Sequence, residues 1–145
     1  MNIFFVCTGN TCRSPMAEAI MKAKEMEGVD VRSAGLFAGG GPISAHARTV
    51  LTEEGIDSDH RSRSVSSEDI EWATVVLTMT KTHKESLIRS YPGAGHKIYT
   101  LKEYVSGSPE DVSDPYGGPE SEYRTTFREL QKLLGELERK IRQEQ

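Results

Sequence analysis

Ile3-Phe4-Phe5-Val6-Cys7-Thr8-Gly9-Asn10-Thr11-Cys12-Arg13-Ser14-Pro15 is the stretch whose reading decides the fold. An apolar run suited to a buried strand passes into a frame of Cys7, five residues, Arg13 and Ser14, and then into a helix pattern. Five residues between those ends can curl so that successive backbone N–H groups point inward and form a nest for an anion. Gly9 and Asn10 tolerate the left-handed geometry such a curl needs. Pro15 suits the first turn of a helix, where its missing N–H costs nothing. The helix adds unpaired N–H groups and the positive end of its dipole. Arg13 brings a planar fork of donors that matches phosphate oxygens. A thiol at the bottom of such a bowl, here Cys7, ionises easily and becomes a nucleophile. Thr8, Gly9, Asn10, Thr11, Cys12 and Arg13 are the expected phosphate-binding residues.

The rest of the chain places that loop in an α/β protein. With 145 residues the chain is long enough for one core, and a single domain over 1–145 is expected. Apolar strand runs near Asn2–Val6, Val29–Ala34, Ala73–Met79 and Lys97–Thr100 alternate with helix patterns, the signature of a parallel sheet. Helices are expected from Pro15 to Glu27, from Pro42 and Ser44 to Glu54, briefly from Ser66, and from Lys81 to Tyr91. A final helix carries Tyr123, Phe127, Leu130, Leu134, Leu137 and Ile141 at steps of three and four. Gly35–Gly41 and Gly107–Pro119 read as irregular segments. In open α/β sheets, ligands sit at the carboxyl ends of the strands, which is where the Cys7 loop leaves the first strand.

Composition narrows the partners. A net charge of −4 argues against nucleic acid or an anionic membrane surface as the main partner. The apolar runs are too short to span a bilayer, and no signal peptide is expected because the chain opens on a strand pattern. The only two cysteines, Cys7 and Cys12, both lie in the loop, so neither belongs to an extracellular disulfide framework. The four histidines show no metal-ligand spacing, and no metal or cofactor is expected. These features point to the cytoplasm. Cys12 has two readings: a small buried hydrophobe, or a thiol close enough to trap oxidised Cys7 as a disulfide.

Phosphoryl transfer to a thiolate needs a proton donor for the leaving group and later a base for water. Asp114-Pro115-Tyr116-Gly117-Gly118 offers a candidate. From spacing alone Asp114 either carries a carboxylate to a pocket rim or merely starts a turn before Pro115.

The stretch Cys7 to Pro15 near the N-terminus, Ser33-Ala34-Gly35 after the second strand, and Asp114-Pro115 near the C-terminus resemble the low-molecular-weight protein tyrosine phosphatases. The resemblance covers the whole chain. It implies a three-layer, single-domain fold with a central four-stranded parallel sheet flanked by helices. It implies Cys7 as a nucleophile forming a phosphocysteine, Arg13 gripping phosphoryl oxygens, and Asp114 as acid and then base. Ser14 would hydrogen-bond the sulfur and Asn10 would hold the loop in shape.

Thr11 and the glycines of Asp114-Pro115-Tyr116-Gly117-Gly118, with Leu101-Lys102-Glu103-Tyr104-Val105, look more like the bacterial protein arginine phosphatases of the same family. Tyrosine-directed members have a bulky aliphatic where Thr11 stands. A small polar wall suits a guanidinium better than a phenyl ring. A guanidine is also a poor leaving group, with a pKa above about 12 against about 10 for a phenol, so Asp114 would have to protonate it. Phe37 and Tyr116 are candidate pocket walls on the same resemblance. Phosphorylated proteins are the implied substrates, with phosphotyrosine as the alternative to phosphoarginine. A thioredoxin-coupled arsenate reductase would need cysteines beyond Cys12, and the chain has none. A non-catalytic phospho-recognition module would need neither nucleophile nor acid.

Overall fold

A computed structural model describes residues 1–144, leaving Gln145 outside the described residues. β1 (Asn2–Cys7), β2 (Asp30–Gly35), β3 (Val75–Thr78) and β4 (Ile98–Thr100) form one parallel sheet in the order β2-β1-β3-β4. β1 therefore lies in the middle, and both its faces are covered. Its alternating side chains feed two cores. Ile3, Phe5 and Cys7 face one core, with Val31, Val75 and Leu77 from the neighbouring strands. Phe4 and Val6 face the other, with Ala34, Val76 and Ile98.

The first core is closed by α1 (Arg13–Ala23), α2 (Ala45–Glu53) and the long α6 (Glu120–Glu144), and the second by α3 (Ser67–Trp72) and α4 (Lys81–Ser90). These are the three layers expected. The stripe of α6 behaves as its periodicity predicts, burying Tyr123, Phe127, Leu130, Leu134, Leu137 and Ile141. No helix among the described residues is long and apolar enough to cross a membrane.

Three details depart from the expected elements. α1 starts at Arg13 and ends at Ala23, short of Glu27, because the chain turns at Glu25 with φ 48° and again at Gly28 with φ 76°. Ala23 accordingly sits outside the set that α1 buries in the core, which is Met16, Ala17, Ala19, Ile20 and Met21. The chain after α4 is not simply broken at Pro92-Gly93 but winds into a 3-10 turn over Pro92–Lys97. The segment following β4 is a short helix, α5 (Leu101–Ser106), started by a capping box in which Thr100 and Glu103 satisfy each other's backbone N–H groups.

β1 is the strand at which the connections diverge, to β2 on one side and β3 on the other, so its carboxyl end opens a crevice. The segment after α5 reaches that crevice and is pinned there. Asp111 accepts from the backbone N–H of Lys81 at 2.8 Å, and Val112, 2% exposed, donates to the Met79 carbonyl at 2.9 Å.

Candidate active site

The curl between β1 and α1 is set by where its carbonyls go. Those of Cys7 and Thr8 accept from the backbone N–H groups of Leu36 and Phe37 at 3.0 and 2.9 Å. The Asn10 carbonyl accepts from His60 Nε2 at 3.0 Å, that of Thr11 from Ser44 N–H at 2.9 Å, and that of Cys12 from Met16 N–H at 3.1 Å. In a planar trans peptide the N–H points opposite to the carbonyl. Carbonyls drawn outward therefore turn the N–H groups of Thr8, Gly9, Thr11, Cys12 and Arg13 inward. They surround a cavity of about 290 Å³ lined by Cys7, Thr8, Gly9, Thr11, Cys12, Arg13, Asp114 and Tyr116. That is space for a phosphoryl group and the head of one side chain.

Asn10 stands behind the bowl. Its φ of 57° is the one left-handed turn in the loop; Gly9, also expected to use that geometry, does not. Asn10 is fully buried, and its Nδ2 donates to Ser14 Oγ at 2.8 Å and to Ser33 Oγ at 3.0 Å, while Oδ1 accepts from Arg63 N–H at 3.1 Å. Because Ser14 Oγ accepts from Asn10, its own proton is free for the Cys7 sulfur 2.8 Å away. Ser33 in turn donates to Glu18 at 2.5 Å, and His60 Nδ1 lies 3.5 Å from the same carboxylate. Burial by itself would raise the Glu18 pKa, but hydrogen bonds from His60, Lys22 and Ser33 outweigh it and bring the carboxyl down to about 2.

Arg13 is buried along its length and enters the cavity from the α1 side. Its Nη1 donates to the Val112 carbonyl at 3.0 Å, which sets the plane of the guanidinium. Nη2 lies 3.5 Å from Asp114 Oδ2. Asp114 Oδ1 accepts from Tyr116 N–H at 3.1 Å, so the residue starts a turn, and it also lines the cavity that holds Cys7. The side chain of Asp114 is 56% exposed, which leaves room for a leaving group and water.

Cys7 and Cys12 are both free thiols. The Cys12 sulfur contacts the Tyr123 hydroxyl at 3.5 Å. Burial, and then the Cys12 contact, push that hydroxyl up to about 12, so it stays protonated. Tyr116 lines the cavity, whereas Phe37 hydrogen-bonds the loop through its backbone and projects its ring into solvent outside the lining. Glu18, Ser33, His60, Val112 and His83 also build the site. Ser33 belongs to the Ser33-Ala34-Gly35 segment already singled out and Glu18 follows the loop within α1, whereas His60, Val112 and His83 act on a loop far away along the chain and nothing in their local sequence marks them.

The sequence matches the family described as low molecular weight phosphotyrosine protein phosphatase over residues 2–145. Among curated relatives, the protein-arginine-phosphatase of Geobacillus stearothermophilus is 49% identical, covering 99% of this chain and 97% of its own. The low molecular weight protein-tyrosine-phosphatase PtpB of Staphylococcus haemolyticus is 42% identical, covering 94% and 97%. Among solved structures, a mutant of the YwlE arginine phosphatase with a phosphorylated active-site serine is 46% identical, with a TM-score of 0.95 over 98% of this chain and 96% of that one.

Proposed function

Because the chain belongs to the low-molecular-weight phosphotyrosine protein phosphatases, we propose that it removes phosphate from phosphoarginine in proteins through a phosphocysteine intermediate. The observation that carries this reading is the cavity itself, with inward N–H groups around the Cys7 sulfur and the small polar Thr11 in its wall. In the first step, Cys7 Sγ attacks phosphorus. The S–P bond forms, the P–N bond to the guanidine breaks, and Asp114 as the carboxylic acid gives its proton to the departing nitrogen. The loop N–H groups and Arg13 hold the three phosphoryl oxygens, where charge develops. In the second step, water attacks phosphorus, the Asp114 carboxylate takes its proton, and the S–P bond breaks. The Ser14 hydroxyl, 2.8 Å from the sulfur, supports the leaving thiolate. Phosphorylated proteins are the substrates, and a nucleophile that must stay reduced suits the cytoplasm.

Thr11 is the expected selector. A hydroxyl accepts from guanidinium N–H groups, which carry donors only, and a bulky aliphatic there would favour a phenyl ring. Losing a hydrogen bond to a charged group costs about 1.5–3 kcal/mol, roughly a tenfold to hundredfold change in preference. The test is kcat/KM on matched phosphoarginine and phosphotyrosine peptides for wild type and Thr11→Ile. Wild type should prefer phosphoarginine, and Thr11→Ile should move the ratio toward tyrosine. The second reading, a tyrosine phosphatase, draws on Tyr116 in the cavity wall and the 42% identical relative named for that activity. A wild-type preference for phosphotyrosine would establish it.

A further inference from the structure

Thr8 lies directly after the nucleophile, lines the cavity and is exposed. Its hydroxyl oxygen is 2.8 Å from Nε2 of His83, 75 residues along the chain. His83 sits in the first turn of α4, where its backbone N–H donates to Thr80 Oγ1 at 3.1 Å, and it is 5% exposed. Its other ring nitrogen, Nδ1, is buried with no partner among the described residues. A buried unpaired nitrogen costs stability, and a leucine of similar volume would fill the space without that cost. Among the described residues the one polar partner of the ring is Thr8. Burial, and then the positive charge of Arg13, bring His83 down to about 4 against the opposite pull of Asp111 and Asp114, so the ring is neutral at neutral pH.

We propose that His83 is a positioning residue for substrate selection: it fixes the Thr8 hydroxyl in the cavity wall as a second acceptor, beside Thr11, for the guanidinium of phosphoarginine. The proposal rests on the phosphoarginine reading. A hydroxyl has one proton and two lone pairs. Whichever ring nitrogen of His83 carries the proton, the pairing leaves at least one lone pair of Thr8 Oγ1 free. A guanidinium offers only donors, whereas the phenyl ring of phosphotyrosine offers none. Without His83 the Thr8 side chain is free to rotate, and its methyl group can stand where the oxygen did. Loss of the pair should therefore weaken phosphoarginine more than phosphotyrosine, a difference that mere loosening of the fold would not produce.

The experiment measures kcat/KM on matched phosphoarginine and phosphotyrosine peptides for wild type, His83→Leu, His83→Gln, Thr8→Val and the double variant His83→Leu with Thr8→Val. The ratio of phosphoarginine to phosphotyrosine should fall about fivefold to tenfold in His83→Leu and in Thr8→Val, and fall no further in the double variant. His83→Gln, whose amide can take the place of Nε2, should recover most of the ratio. Thr8→Val keeps the side-chain shape, so it carries the test even where His83→Leu fails to fold. Equal losses on both peptides, or losses that multiply in the double variant, overturn the proposal. A wild type that favours phosphoarginine, with a ratio that neither single variant moves, overturns this proposal alone. A wild type that favours phosphotyrosine overturns the phosphoarginine reading and takes the proposal with it.

Discussion

Gly35 ends β2 opposite Cys7, with its backbone held on both sides by the next segment: its N–H donates to the Arg63 carbonyl at 2.8 Å and its carbonyl accepts from Val65 N–H at 3.0 Å. A Cβ added there would stand 2.5 Å from the Thr8 carbonyl oxygen, 2.9 Å from the Asn10 nitrogen and 3.0 Å from the Gly9 carbonyl carbon. All three are backbone atoms of the phosphate loop, so no side chain can swing aside. Bringing the nearest contact back to about 3.2 Å, still inside the optimum of about 3.5–4.0 Å, requires a shift of about 0.7 Å. Since Gly35 is anchored in the ladder, the shift falls on Thr8–Asn10, two of whose neighbouring N–H groups face the cavity. Overpacking of this kind costs about 1–3 kcal/mol, or roughly 3–10 °C in Tm for a chain of this size. Misplacing reacting groups by about 1 Å can cost on the order of a hundredfold in rate, so Gly35→Ala should lower kcat on a chromogenic aryl phosphate by about tenfold to a hundredfold. Gly135→Ala is the comparison: within α6 its nearest new neighbour is Arg139 Nη1 at 3.8 Å, and it should gain about 0.5–1 kcal/mol from helix propensity. Thermal melts and steady-state rates of the two variants decide the matter. Wild-type kcat and Tm in Gly35→Ala would refute the claim that this strand end shapes the loop.

Replacing Asp114 by Asn should slow hydrolysis of phosphoarginine, whose guanidine is a poor leaving group, by at least about a hundredfold, and that of an activated aryl phosphate much less. Equal losses on the two substrates would remove Asp114 from the leaving-group role. Acid should weaken the fold in two stages. His83 is held at about 4 against an ordinary 6.5, so below pH 6.5 the unfolded chain takes up a proton that the folded chain refuses until about pH 4. Glu18 is held at about 2 against 4.5, so the stability it contributes is complete above pH 4.5 and is lost as pH falls toward 2. Urea unfolding from pH 7.5 to 3 should show the upper stage diminished in His83→Leu and the lower one in Glu18→Gln; a variant with the same pH slope as wild type would assign its stage to other groups.

The chemistry of the site was legible because it is local. Cys7 and Arg13 line one cavity from a single curl, Ser14 meets the Cys7 sulfur, Asn10 makes the left-handed turn, and the apolar run before Cys7 is a strand covered on both faces. α5 was not expected: it is only six residues long, too short to show periodicity, and the one signal that could have found it is the capping pair Thr100 and Glu103. The end of α1 was not legible, because Ala23 and Met26 continue the apolar spacing past the point where the backbone turns. What only the tertiary structure decided is the shell behind the loop. His60 on the Asn10 carbonyl, Ser33 and Glu18 behind Asn10, the Val112 carbonyl on Arg13 and His83 on Thr8 come, Glu18 apart, from segments well separated from the loop along the chain. By itself the sequence determined the strand, the curl and the helix start that bring Cys7 and Arg13 to one cavity, since those depend on residue type and spacing within a short stretch of chain. Which distant donors and acceptors hold those groups in place depends on how the strands align and the helices pack. Buried polar groups must find partners, and in a folded chain those partners are near in space and seldom near in sequence.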